Sequence, residues 1–183
     1  MIRLIKRLFT LAVMFALLVS FGYCVVLPRI LPLKYQESVE KYAAEYGLKK
    51  SLVNGVIFCE SHFETEVVSS AGAIGLMQIQ QETAWWAAQQ MGLNDETVDL
   101  TDPDTNIRIG CWYLNWLLAK FDGVTETALA GYNAGHGNVE KWLNEAEMSK
   151  DGIILNEIPY EETKSYVKKV ELVQQVYAYV YRQ

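Results

Sequence analysis

A chain of 183 residues, 51% hydrophobic and 21% charged, can fill one globular core and is too short for two large ones; disorder and collagen-like repetition are excluded. The net charge of −6 divides into +5 over residues 1–34, from Arg3, Lys6, Arg7, Arg29 and Lys34 with no acid, and −11 over residues 35–183. So acidic a body is a poor partner for phosphate backbones, and nucleic acid is excluded as a ligand.

From Leu8 to Leu27 no acid or base occurs for 20 residues, about the length of helix that crosses a hydrocarbon core ~30 Å thick. A cleaved signal peptide would have a shorter apolar region and a small-x-small cleavage site, which is not found. The stretch therefore reads as a retained anchor. The positive-inside rule puts Arg3, Lys6 and Arg7 in the cytoplasm and the acidic body outside. Cys24 follows the bulky Tyr23, where a lipoprotein would carry a small residue, and is taken as an apolar member of the span. The expected organisation is a basic tail over 1–7, a transmembrane anchor over 8–27, a connector over 28–34 in which Pro28 and Pro32 break the helix, and a domain over 35–183.

The rest reads as helices punctuated by Gly, Asn and Pro, with no alternating strand. A first helix spans about Tyr35 to Tyr46 and stops at Gly47. A second begins near Ser51 and sets Leu52, Val53, Val56, Ile57 and Glu60 on one stripe. A glycine-rich stretch, Ser69 to Gln78, follows. Gln80 to Met91 is helical, and Asp102-Pro103 is a cap and first-turn proline opening a long helix to about Phe121. Thr125 to Tyr132 is a short helix ended by Asn133-Ala134-Gly135, Asn138 caps another to about Glu147, and Ile158-Pro159 leads into a final helix reaching Tyr181. The fold class is all-α. Cys59 and Cys111 are open to two readings, a disulfide outside the membrane or two buried thiols. His62 and His136 stand alone, no Cys/His cluster has metal-ligand spacing, and no metal or cofactor is expected.

Glu60 closes an apolar stripe, where partial desolvation would raise its pKa and keep it protonated as a general acid; the alternative is a salt-bridged surface acid. Gln78 offers an amide after a glycine turn. Tyr132 and Asn133 stand at a helix end, and Glu162 lies in a first turn where the helix dipole favours an acid anyway. The five tryptophans suit either sugar stacking or core packing, and none is assigned to a site.

In order along the chain, Glu60-Ser61, Gly75-Leu76-Met77-Gln78, Gly131-Tyr132-Asn133-Ala134-Gly135 and Ile158-Pro159-Tyr160-Glu161-Glu162-Thr163, with Tyr166-Val167 downstream, resemble the lytic transglycosylases of the soluble-lytic-transglycosylase type. Asn106-Ile107-Arg108-Ile109-Gly110 and Trp112-Tyr113-Leu114 are similar to that family's long helix. The resemblance covers roughly residues 35–182. It implies a lysozyme-like α-domain that cleaves the β-1,4 bond between N-acetylmuramic acid and N-acetylglucosamine in peptidoglycan. Glu60 would serve as acid and then base, the product would be a 1,6-anhydro sugar, and the 2-acetamido group would replace the second carboxylate that most glycosidases use. It further implies that Ser61, Gln78, Tyr132, Asn133 and Glu162 line the sugar sites, with Met77 in apolar contact. The protein would be a single-pass protein of a bacterial membrane with its domain outside the cytoplasm. Two departures stand out: Glu64-Thr65 where the family often has Asn-Pro, and Gly131 for its usual Ala. Glu64 is either a solvated acid or a second carboxylate that could activate water. A hydrolytic muramidase and a non-catalytic peptidoglycan-binding module remain the competing readings.

Overall fold

The structure, a computed structural model, describes residues 2–93 and 98–183. Two compact units divide at Lys34 and Tyr35. In the first, helix α1 (Ile2–Phe21) passes through a wide π-turn (Gly22–Val26) into α2 (Leu27–Ile30). Pro28 does not break the chain here. It occupies the first turn of α2, where its missing N–H is not needed, and the wide turn before it carries the bond from the Leu27 N–H to the Gly22 carbonyl. The helical run ends at Ile30, just before the residue that precedes Pro32. Lys6–Ile30 is long and apolar enough to cross a membrane, and from Leu8 to Phe21 its large apolar side chains stand exposed.

The second unit is helical. Helix α3 (Gln36–Glu45) is followed by α4 (Lys50–Ser61), whose stripe of Leu52, Val53, Val56 and Ile57 is buried as its spacing requires. Helix α4 packs along the last helix, α9 (Glu161–Tyr181). The two approach closely at Gly55, where an added Cβ would lie 3.3 Å from the Gln174 backbone nitrogen.

Between α4 and α5 (Gln81–Gln90) the glycine-rich stretch forms a feature the helical pattern does not announce. Strands β1 (Ala73–Ile74) and β2 (Ile79–Gln80) pair antiparallel, Ala73 opposite Gln80 and Ile74 opposite Ile79. Two-residue strands are too short to leave a period in the sequence.

Helix α6 (Pro103–Lys120) starts as expected, with the Asp102 carboxylate accepting from the Thr105 N–H at 2.8 Å. Its core side chains are Ile107, Ile109, Cys111, Leu114 and Leu117. Helix α7 (Thr125–Ala134) runs two residues past the expected end, and α8 (His136–Leu143) starts at His136 rather than Asn138. The reason is local: Gly135, at φ +85°, makes the corner alone. The Asn138 amide instead donates to the Ala134 carbonyl at 2.9 Å, serving the end of α7. Helix α8 stops at Leu143, short of the expected Glu147. Cys59 and Cys111 are free thiols, half-buried and buried.

Candidate active site

Helices α4, α6, α7 and α9 meet the β1–β2 hairpin around a cleft of about 450 Å³, within the range of small-ligand sites. Its wall contains Glu60, Gln78, Tyr132, Asn133 and Glu162, together with Ser69, Ser70, Gln80, Thr83 and Tyr113. Five side chains proposed from four separate stretches of sequence therefore share one cavity.

Glu60 sits in the last turn of α4, half-buried. Loss of water pushes its carboxyl up to about 7, against weaker opposing influences from the Tyr166 hydroxyl and the Lys169 ammonium. No Lys or Arg among the described residues pairs with it within 4 Å. The Tyr166 hydroxyl is close enough to act on the proton affinity of Glu60 but lies outside hydrogen-bonding geometry, so it is a buried hydroxyl without a partner. Tyr166 follows Glu162 by one helical turn, so one end of α9 sets Glu162 in the cleft wall and the Tyr166 hydroxyl, buried, beside Glu60. The sequence contained that spacing, but nothing in it singled out the tyrosine as facing Glu60.

The tight turn Gly75–Gln78 is built around Asn106, which is buried inside α6. The Asn106 carbonyl oxygen accepts from the Met77 N–H at 2.8 Å, and its amide donates to the Ile74 and Leu100 carbonyls at 3.0 and 2.8 Å. Gly75 is required at the contact: it has φ +78°, and a Cβ there would fall 2.3 Å from the Asn106 amide nitrogen and from the Leu100 oxygen. The Tyr132 hydroxyl reaches across from α7 to donate to the Met77 carbonyl at 2.8 Å. Gln78, at φ +48°, donates through its amide to the Val67 and Gly75 carbonyls at 3.0 and 2.9 Å. Both of its N–H donors are thus spent on protein, and what remains for a ligand is the acceptor oxygen. Asn133 is the complement: its oxygen accepts from the Thr163 hydroxyl at 2.7 Å, leaving its N–H groups for the cleft. Ser69 accepts from the Ala73 N–H at 3.0 Å and keeps its own O–H to donate. The wall therefore offers both donors and acceptors around a desolvated carboxyl, a pattern suited to a polyhydroxylated, amide-bearing chain.

Ser61 and Met77, expected in the sugar sites, lie behind the wall instead. The Ser61 hydroxyl is buried and donates to the Leu76 carbonyl at 2.8 Å, tying the end of α4 to the turn. The Met77 side chain is fully buried against Gly110, where a Cβ would come within 2.3 Å of its sulfur. Both hold the turn from within, because the backbone at Met77 is pinned by Asn106 and Tyr132 with its side chain inward. Glu64 is exposed and is not part of the wall. His62 and Phe63, both left-handed at φ +51° and +65°, end α4 before it, so the helical spacing from Glu60 to Glu64 does not exist. At Gly131 the ring of Phe121 takes the space of a methyl group: a Cβ would lie 2.8 Å from Phe121 Cε2.

A family profile described as Transglycosylase SLT domain matches residues 37–154. The soluble lytic murein transglycosylase of Escherichia coli K12 is 33% identical over 151 residues, covering 81% of this chain and 23% of that protein. The membrane-bound lytic murein transglycosylase C of Haemophilus influenzae (strain PittGG) is 37% identical over 117 residues, covering 58% of this chain and 32% of its own length. Among solved structures, the 70-kDa soluble lytic transglycosylase of E. coli superposes with a TM-score of 0.72 at 30% identity, over 84% of this chain and 25% of that one. A Pseudomonas aeruginosa lytic transglycosylase, solved as an inactive glutamate-to-glutamine mutant, gives 0.72 at 30% identity, over 83% of this chain and 25% of its own. The chain spans about a quarter of the length of the soluble relatives it matches. The all-α, lysozyme-like fold read from the sequence is the fold found.

Proposed function

The chain belongs to the transglycosylase SLT family, and from that premise we propose that it is a membrane-anchored lytic transglycosylase. Its reaction cleaves the β-1,4 bond from N-acetylmuramic acid to N-acetylglucosamine in peptidoglycan and leaves a 1,6-anhydromuramoyl end. The observation that carries the reading is Glu60, a carboxyl poised near neutrality by desolvation in a polar cleft, with Glu162 as the only other acid in its wall among the described residues.

Protonated Glu60 gives its proton to the glycosidic oxygen as the bond to the muramoyl C1 breaks, and the 2-acetamido oxygen supports the charge that develops at C1. Glu60, now a carboxylate, takes the proton of the muramoyl 6-hydroxyl as that oxygen closes on C1. The acid is regenerated and no water is consumed. Between the two transfers the carboxylate is charged in a desolvated place, and the Tyr166 hydroxyl, buried beside it with its donor unspent, stabilises it by donating. Gln78 supplies an acceptor, Asn133 a donor and Glu162 an exposed acceptor to sugar groups along the cleft. A hydrolytic muramidase that used Glu64 to activate water is disfavoured by the position of Glu64 outside the wall. A binding module would gain nothing from a desolvated acid that costs stability. Release of soluble fragments from purified peptidoglycan by the full-length chain in detergent tests cleavage; co-sedimentation without release would leave only a binding module.

The membrane part of the proposal rests on the apolar Lys6–Ile30 helix behind Arg3, Lys6 and Arg7. Protease added to cells with a permeable wall should degrade residues 35–183 while the anchor stays with the membrane. Recovery of intact protein in the soluble cytoplasm would contradict it.

A further inference from the structure

Helix α9 packs against α4 and α7, yet two large apolar side chains on its outward side stand in solvent, Leu172 at 62% and Tyr179 at 88% exposed. Val176 shares their face, because the three lie four and three residues apart. Arg182, also exposed, follows three residues later. Residues 172–183 contain no acid, in a domain whose net charge is −11. This end of α9 therefore differs from the rest of the domain in both charge and polarity.

Its place in the domain is fixed by a ring of three side-chain amides. Gln36 donates to the Asn54 oxygen at 3.0 Å, Asn54 donates to Gln183 at 2.9 Å, and Gln183 donates to Gln36 at 3.4 Å. Asn54 is fully buried, so the ring ties the end of α9 to the start of α3. The residue before Gln36 is Tyr35, held left-handed at φ +56°, a conformation that a tyrosine keeps only where its surroundings impose it. Helix α2 ends at Ile30, and the five steps from there to Tyr35 span at most about 18 Å. With the Lys6–Ile30 helix in a bilayer, covalent reach alone keeps this end of the domain near the headgroups.

We propose, as a step that rests on the membrane reading above, that the face of Leu172, Val176, Tyr179 and Arg182 docks on the surface of the membrane that holds the anchor. Tyr179 sits in the headgroup layer and Arg182 pairs with anionic lipid phosphate. A tyrosine suits that layer because its ring is apolar and its hydroxyl polar, and the arginine fork matches phosphate geometry. The acidic body is repelled by an anionic surface, which attracts basic residues instead. An end free of acid is the part able to approach it. Docking gives the domain a second attachment besides its tether, about 25 Å along α9 from Glu162 of the cleft.

The test is photo-crosslinking in vesicles of phosphatidylcholine with phosphatidylglycerol. Benzoylphenylalanine, a photoreactive relative of tyrosine, is placed in the full-length chain at Tyr179 or at Tyr160, the exposed residue before the other end of α9. Neither position is packed in the core, so both proteins should fold. Flotation is measured first, then lipid adducts by mass spectrometry after irradiation. Position 179 should give at least about fivefold more lipid adduct than position 160. Adding Arg182→Gln should lower the yield at 179 about fivefold, the effect of one basic residue near an anionic surface. A protein that does not float would sink the anchor and the docking face together. If it floats, the anchor stands, and the docking face is overturned by equal yields at the two positions, by covalent dimers through 179 in place of lipid adducts, or by a yield that Arg182→Gln leaves unchanged.

Discussion

Replacing Glu60 by glutamine should lower turnover on peptidoglycan by ~10² to 10⁴, the usual contribution of a positioned general acid and base, while leaving binding close to normal. Glutamine keeps the size and hydrogen-bonding shape of the side chain but has no proton to transfer. Gln78, Asn133 and Glu162, which line the cleft, are untouched. The pH dependence follows from the same carboxyl. With its pKa raised to about 7 by desolvation, Glu60 is the required acid below that value and is lost as donor above it, so kcat/KM of the wild type should fall about tenfold per unit on the alkaline side. Stability shifts in a linked way. The folded pKa lies above the unfolded one, so the native state holds the proton more tightly. Stability from this group is therefore complete at pH values below about 4.5 and is lost as pH rises through about 7. Glu60→Gln removes that loss, and its advantage over wild type should grow across this window by an amount on the order of 2–3 kcal/mol. Unfolding midpoints at the two ends of the window check it, and a variant that gained nothing on the alkaline side would show that Glu60 is not desolvated.

The second large effect is expected away from the chemistry, at Asn106. Asn106→Leu keeps the branched outline of the side chain but strands the Met77 N–H and the Ile74 and Leu100 carbonyls, all of which bond to Asn106. Buried groups left unpaired cost ~1–3 kcal/mol each, so a loss of about 3–5 kcal/mol is expected, a large part of the stability of an ordinary domain. Activity should fall further than stability requires, because the turn that Asn106 holds also carries the Tyr132 anchor and Gln78. Asn106→Asp keeps the acceptor for Met77 and loses both donors, and should lie between wild type and leucine. Denaturant titration and fragment release on the same samples separate the two effects. If Asn106→Leu were as stable and active as wild type, the turn would have to be held by something else.

How much of this was legible beforehand depended on where the information lay. The helices were, because a buried stripe repeats every three or four residues and Asp102-Pro103 and Gly135 punctuate the chain with known backbone chemistry. The cleft membership of Glu60, Gln78, Tyr132, Asn133 and Glu162 was legible through family motifs. The direction in which each side chain points was not. Ser61 and Met77 stand next to cleft residues in sequence yet turn inward, since the left-handed backbone at Gln78 and the anchor at Asn106 rotate the turn in a way no local pattern encodes. Tyr113 was hidden for the opposite reason: on α6 it reads as one more core aromatic, yet it shares the cleft wall with Tyr132 of α7, 5.5 Å away ring to ring. Glu64 shows the limit of spacing arguments, for two left-handed residues undo the helical register that would have set it beside Glu60.

The central claim is that one carboxyl performs both proton transfers and that no water enters. Digestion of peptidoglycan by the full-length chain in heavy-oxygen water, followed by mass spectrometry of the released fragments, tests it most directly. The account predicts muramoyl ends lighter by one water than a reducing sugar, with no heavy oxygen incorporated. Reducing muramoyl ends carrying one heavy oxygen at C1 would contradict it.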